Sequence, residues 1–270
     1  VSIENRQGLI VKYRRARHSP QERRAQRRAV AVLPTLFTLG NCICGFAALH
    51  YTARGSIEAA DPNAAVDVTR HLVDYATAGY YIFAAMIFDV FDGFMARLTR
   101  NTSEFGAELD SLADVISFGV APAFLSLQVI ADVYRPGLPN GLEALGPNAD
   151  DLFGKLFWII GAIYVACTAL RLARYNVISS DNKEEFKGLP SPGAAAVVAA
   201  SILFFVTIQS GRHYIPFNVP PSIIGLTKTI FPYAMPLLLL CSAMLMVSRF
   251  AYPHLVNRYL RGGRRFSYVA

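Results

Sequence analysis

Between Asp89 and Asp114, four aspartates, two glycines, an alanine and an arginine stand at fixed offsets. They read Asp89-x-x-Asp92-Gly93-x-x-Ala96-Arg97, then eight residues, then Gly106-x-x-x-Asp110-x-x-x-Asp114. The acids fall inside apolar stretches, where ionisable side chains are expensive and by default mark functional sites. On a helix turning about 100° per residue, Asp89, Asp92 and Ala96 share one stripe, with Gly93 and Arg97 beside it. Gly106, Asp110 and Asp114 line a second stripe. A short turn between the two helices makes them antiparallel neighbours, so the stripes can face each other. Four ionised carboxylates brought together in this way either take up protons or hold cations. An all-oxygen donor set suits Mg2+, Mn2+ or Ca2+ rather than Zn2+. Two such ions bridged by carboxylates stabilise both the attacking and the leaving oxygen of a phosphoryl transfer. Gly93, Ala96 and Gly106 keep bulk off the faces around the acids, and Arg97 offers a fixed cation for a phosphate oxygen. A lone Asp near a helix end is more simply an ion pair with Arg97 or Arg100. Eight identities at fixed offsets go beyond that explanation.

The elements that carry these residues follow from composition. The chain has 270 residues, 53% of them apolar and only 17% charged, unlike a soluble domain. The apolar residues gather in six runs of the length that crosses a bilayer as helix: 33–53, 72–97, 107–131, 151–176, 192–210 and 229–250. They do not alternate as barrel strands do. The expected fold is an all-α integral membrane protein with six transmembrane helices and a short N-terminal interfacial helix. It divides into a basic N-terminus with a juxtamembrane helix (1–32), a six-helix membrane domain (33–250) and a basic tail (251–270). With six spans, 20 of the 26 Lys and Arg fall on the side of the termini, nine of them before the first span. The positive-inside rule puts that side in the cytoplasm, and the acidic stretch with it. The expected location is the cell membrane. The net charge of +7 thus reports topology and contact with an anionic bilayer, and implies no nucleic-acid partner.

Ser19-Pro20-Gln21-Glu22 has the form of a capping box with Pro at the first helical position. The Arg pairs that follow suit a helix in the headgroup layer or a basic topogenic flank. Because this basic segment precedes any apolar run, no cleavable signal peptide is expected. Asn41 in the first span needs a hydrogen-bond partner, and Gly40 and Gly45 allow close helix approach. Residues 54–71 and 132–150 are expected as external loops. Cys42, Cys44, Cys167 and Cys241 lie within spans and suit packing better than metal binding. The last two spans carry no acid and are expected as scaffold.

The acidic stretch resembles the signature of the CDP-alcohol phosphotransferase family, D-x-x-D-G-x-x-A-R, eight residues, G-x-x-x-D-x-x-x-D, without gap or substitution. The resemblance implies that CMP is displaced from a CDP-linked lipid or alcohol by a second alcohol. It implies that Asp89, Asp92, Asp110 and Asp114 hold two divalent ions, Mg2+ or Mn2+, and that Asp114 is also the base. It further implies that Pro34, Thr35, Gly93, Arg97 and Ser103 line the CDP site, and that the protein is a homodimer. Relatives often read Pro-Asn where this chain has Pro34-Thr35. Outside the signature, LPTLFTLGNCICGF, SEFGAELDSLADVISFGVAP, RLARYN and FKGLPSP resemble the phosphatidylserine synthase branch. That implies CDP-diacylglycerol and L-serine as substrates. Arg171, Arg174 and Lys187 offer cations for the serine carboxylate, or alternatively for lipid phosphates.

Three other readings compete. A sibling enzyme would use glycerol phosphate or inositol phosphate, needing further cations, or choline, needing an aromatic cage for which Tyr80, Tyr81 and Tyr175 are the candidates. A cation transporter would show broken helices at the midplane and internal repeats. A membrane scaffold gives no reason for the fixed identities.

Overall fold

The computed structural model describes residues 20–60, 70–99, 104–134, 145–147, 149, 152–178, 188–210 and 219–248, and of 20–34, 58–60, 96–99, 104 and 178 the backbone alone. In order, the helices are α1 (Pro20–Ala60), α2 (Arg70–Thr99), α3 (Glu104–Asp114), a π-helical turn (Val115–Val120), α4 (Ala121–Tyr134), α5 (Leu152–Ile178), α6 (Ser191–Ser210) and α7 (Pro221–Val247). No strand occurs among the described residues. Six stretches are long and apolar enough to cross a membrane: Thr35–Ile57, Arg70–Met95, Phe105–Tyr134, Leu152–Val177, Ser191–Ser210 and Pro221–Val247. The expected all-α, multi-pass architecture is therefore what forms.

The third span, made of α3, the π turn and α4, is the centre of the bundle. Of its apolar window 72% is buried within the protein, against 28–50% for the other five. Around it, packing is made by small residues, since lipid tails leave no hydrophobic drive between helices. Ala48, Ala78, Ala121, Ala194, Ala195, Ala199 and Ala243 have no exposed surface. Larger side chains such as Phe118, Leu125, Ile202 and Leu239 fill the space between, while others, among them Ile43, Phe46, Val90, Trp158 and Leu237, point outward.

α1 makes its closest approaches through the two glycines singled out above. A Cβ on Gly40 would lie 2.8 Å from the Phe88 ring of α2, and one on Gly45 only 2.4 Å from Ser117 Oγ in the π turn. This places α1 directly against α2 just before Asp89 and against the π turn just after Asp114.

The π turn has a local cause. Pro122 has no N–H to offer the carbonyl four residues back, that of Phe118, and its ring crowds that carbonyl. The ladder widens here, with Ala121 N–H donating to Ile116 O, five residues back. In an apolar medium the freed carbonyl needs another donor, and Tyr164 of α5 supplies it, its hydroxyl donating to Phe118 O at 3.2 Å.

Three boundaries differ from those expected. The helix begun by Pro20 does not end before the first span but continues through it to Ala60. The same helix takes in Arg54, which was expected in a loop; its Nε pairs with Asp74 Oδ2 of α2 at 3.1 Å. Nearby, the Tyr75 hydroxyl donates to Asp132 Oδ2, tying α2 to α4. The last span begins at Pro221 rather than 229, with Pro232 and Pro236 accommodated inside it. Proline is tolerated in membrane helices where neighbours satisfy the freed groups.

Replacing Gly45 with Ala should force α1 away from the π turn, because the new methyl meets Ser117 backbone as well as its hydroxyl. Overpacking of this kind costs roughly 1–3 kcal/mol. Thermal unfolding in detergent should show a lowered midpoint; an unchanged midpoint would mean that the close approach contributes nothing.

Candidate active site

The two halves of the acidic motif do meet. Asp89 on α2 and Asp110 and Asp114 on α3 each offer a carboxylate oxygen, and these oxygens all lie within 4.8 Å of one another. Asp92, one turn beyond Asp89, is buried and stands outside this trio, its carboxyl within hydrogen-bonding reach of Asp110. The i, i+4 spacing of Asp110 and Asp114 stacks them on one face of α3, as the helical period requires.

Span 1 supplies the hydrogen bonds. Thr38 Oγ1 donates to Asp92 Oδ2. Asn41 Nδ2 donates to Asp114 Oδ1 at 2.9 Å, so the partner that Asn41 needed is an acid of the motif. Ser117, the first buried residue of the π turn, donates from Oγ to the backbone carbonyl of Asn41 at 2.9 Å.

One cation faces the acids among the described side chains. Arg171 on α5 is near enough to act electrostatically on both Asp89 and Asp114. Its Nη1 donates to Ser191 Oγ at the start of α6, while its Nε is buried without a partner. Ser191 follows a turn that is docked on α7. Gly188, at φ +92°, adopts a conformation open to glycine and costly for other residues. A Cβ there would lie 2.6 Å from Met246 O. From that turn, Leu189 N–H donates to Leu245 O at 3.0 Å, using a carbonyl at the end of α7. Arg171 of RLARYN and the described part of FKGLPSP, 188–192, are thus joined: Gly188 and Leu189 dock on the end of α7, and Ser191, two residues on, accepts from Arg171.

Of the other expected site residues, Thr35 and Gly93 are partly buried on α1 and α2, and Arg174, on the same helix as Arg171, is exposed. The side chains of Pro34 and Arg97, and all of Ser103 and Lys187, lie outside the described residues. Sequence reasoning had not assigned Thr38 or Ser191 to the site. The polar residues of LPTLFTLGN at helical spacing were the available signal for Thr38.

The site fits a hard divalent cation. The donors are all carboxylate oxygens, and Asp110 Oδ1 is buried without a hydrogen-bond partner. A lone pair left unmade in a buried site calls for a ligand, and oxygen-only ligation suits Mg2+ or Mn2+.

Known proteins resemble the chain over much of its length. Residues 31–252 match the family model described as CDP-alcohol phosphatidyltransferase. A CDP-diacylglycerol–serine O-phosphatidyltransferase of Helicobacter pylori is 30% identical over 224 residues, 83% of this chain and 72% of that protein. One from Methanocaldococcus jannaschii is 40% identical over 117 residues, 43% of this chain and 46% of that protein. An archaetidylserine synthase of Methanothermobacter thermautotrophicus is 31% identical over 173 residues, 63% of this chain and 58% of that protein.

If the trio is built to be neutralised by a cation, Asp110→Asn should relieve repulsion and unfold no earlier than the unaltered protein when divalent ions are chelated. Added Mn2+ should then raise the unfolding midpoint of the unaltered protein well above that of the variant, by mass action on the folded state. An equal rise in both would remove Asp110 from the ion site.

Proposed function

The chain belongs to the CDP-alcohol phosphatidyltransferase family, and from that premise we propose that it transfers the phosphatidyl group of CDP-diacylglycerol to the hydroxyl of L-serine, giving phosphatidylserine and CMP. The activity is that of a CDP-diacylglycerol–serine O-phosphatidyltransferase in phospholipid biosynthesis. The observation that carries it is the convergence of Asp89, Asp110 and Asp114 opposite Arg171 at the end of apolar helices. Serine as acceptor is supported by the relatives' names, which share serine even where the lipid named differs.

In this reading Asp114 takes the proton of the serine hydroxyl as that oxygen attacks the lipid-side phosphorus. The bond from that phosphorus to the bridging oxygen of the diphosphate breaks, and the electron pair leaves on CMP. Asp89, Asp110 and Asp114, with Asp92 beside them, would hold Mg2+ or Mn2+, two ions by family resemblance; their chemistry is Lewis-acid neutralisation of the diphosphate and of the departing CMP. Arg171 offers guanidinium N–H groups to the serine carboxylate, a geometry that Ser191 fixes. Gly93, Arg97 and Ser103, with Pro34 and Thr35, remain the residues for the CDP moiety, and Arg174 and Lys187 further cations at the mouth.

Positive charge on the side of the termini supports a cytoplasmic orientation for the site in the cell membrane. A homodimer, by family resemblance, completes the reading. Basic termini around a six-helix membrane domain remain the proposed division of the chain; 1–19 and 251–270 lie outside the described residues.

Purified protein given CDP-diacylglycerol, Mn2+ and labelled serine should form labelled lipid and CMP in equal amounts. Glycerol phosphate, inositol phosphate and choline should release none. CMP release with one of these and not with serine would move the protein to a sibling activity. Asp114→Asn should lower kcat by roughly 10²–10⁴-fold, the usual worth of a general base, while the protein still inserts and folds. Arg171→Leu should raise KM for serine by roughly 10–100-fold, the equivalent of one charged hydrogen bond, with KM for CDP-diacylglycerol little altered. Equal rises in both constants would contradict the acceptor role.

A further inference from the structure

Thr38 and Asn41 lie three residues apart on one face of α1, and each donates to one acid. Thr38 serves Asp92 in the first half of the motif, and Asn41 serves Asp114 in the second. Both are fully enclosed, Thr38 with 2% and Asn41 with 0% of its surface exposed. Their side-chain donors are turned to the acids rather than to open space, so their reach into the reaction is through Asp92 and Asp114.

The amide of Asn41 shows which contact sets its orientation. Its Oδ1 is buried with no hydrogen-bond partner, while its Nδ2 is given to Asp114. The flipped amide would set a carbonyl oxygen against a carboxylate oxygen, acceptor against acceptor. An acceptor is left unmade so that the acid receives a donor, a departure from the rule that buried polar groups are satisfied. The backbone around it is fixed as well. Ser117 holds the Asn41 carbonyl, and Gly40 and Gly45 admit α1 to close contact with α2 and the π turn.

We infer that Thr38 and Asn41 are positioning residues: each holds one oxygen of its carboxylate, so that the remaining oxygens of Asp92 and Asp114 are aimed into the site. This rests on the reading of the acids as ion ligands and of Asp114 as base. It makes the first span a working part of the acidic site. The chemistry resembles that of outer-shell groups in metal sites generally, whose loss weakens metal binding or activity by roughly 10–100-fold.

The test measures Mn2+ binding, from the electron paramagnetic resonance signal of free Mn2+, beside kcat and KM for each substrate. It uses the full chain in detergent. Thr38→Val keeps the shape and removes the donor; it should weaken Mn2+ binding by roughly 10–100-fold, and Thr38→Ser should restore it to within about threefold. Asn41→Leu, close in shape and unable to donate, should lower kcat by a similar factor at saturating Mn2+ while both KM values stay within about threefold. Wild-type Mn2+ affinity in Thr38→Val together with wild-type kcat in Asn41→Leu overturns the inference, and so does a lowered unfolding midpoint with neither constant changed. A Thr38→Ser variant as impaired as Thr38→Val also overturns it, because the hydroxyl would then not be the determinant. If Thr38→Val fails to fold, Thr38→Ser and Asn41→Leu still decide the matter. Failure of the underlying reading looks different: the unaltered protein would then bind no Mn2+ and release no CMP, and the inference would fall with it.

Discussion

Like charges resist being gathered in an apolar bundle, and every other feature of this protein's working half answers that resistance. Oxygens of Asp89, Asp110 and Asp114 stand within 4.8 Å of one another. At an effective dielectric of about 20, each fully ionised pair at that separation repels by roughly 3 kcal/mol, a large part of the margin that keeps a domain folded. The surroundings offset this with directed dipoles and one opposed charge. Thr38 and Asn41 present donors from α1, and Arg171 presents a guanidinium from α5. A divalent cation would complete the balance, and the buried Asp110 Oδ1 without a partner is where the protein's own groups stop short.

The rest of the bundle reads as support for that arrangement. Gly40 and Gly45 let α1 come close enough for short side chains to reach the acids, which a bulkier pair would prevent. The π turn after Asp114 follows from Pro122, and it brings Ser117 against α1 and Phe118 O against Tyr164. At the far side of the site, the end of α7 takes the Gly188 turn, which sets Ser191 and through it Arg171. The facing cation therefore comes from α5 and the donors from α1, while the acids come from α2 and α3. Such a division suits a reaction between two unlike substrates: a common diphosphate handled by the motif, and an acceptor handled by groups from elsewhere.

Much of this was legible from local signals. Apolar run lengths predict six spans, and the spacing of the acids predicts two facing stripes, because both depend only on helical geometry. Asn41 needed a partner and Gly40 and Gly45 needed a close neighbour, but which partner and which neighbour depend on how α1 is rotated against α2 and α3. Thr38 was given no role because a threonine in a membrane helix satisfies itself on its own backbone as readily as it serves another helix, as Thr52 and Thr77 do here. Arg171 and Arg174 looked equivalent in RLARYN; the twist of α5 turns the first toward the acids and leaves the second exposed. The early start of the last span was obscured by Thr227-Lys228-Thr229, which interrupts the apolar run; Pro232 and Pro236 already lay inside the expected 229–250. Pro122 was visible in the third span, and its consequence for the backbone was the readable signal left unused.

The most direct measurement is an anomalous-scattering map from crystals of the unaltered protein grown with manganese. The geometry predicts a peak enclosed by Asp89, Asp110 and Asp114, within ligand distance of their carboxylate oxygens. A map with no peak there, from protein that turns over under the same manganese concentration, would contradict the claim that these acids exist to hold the ion.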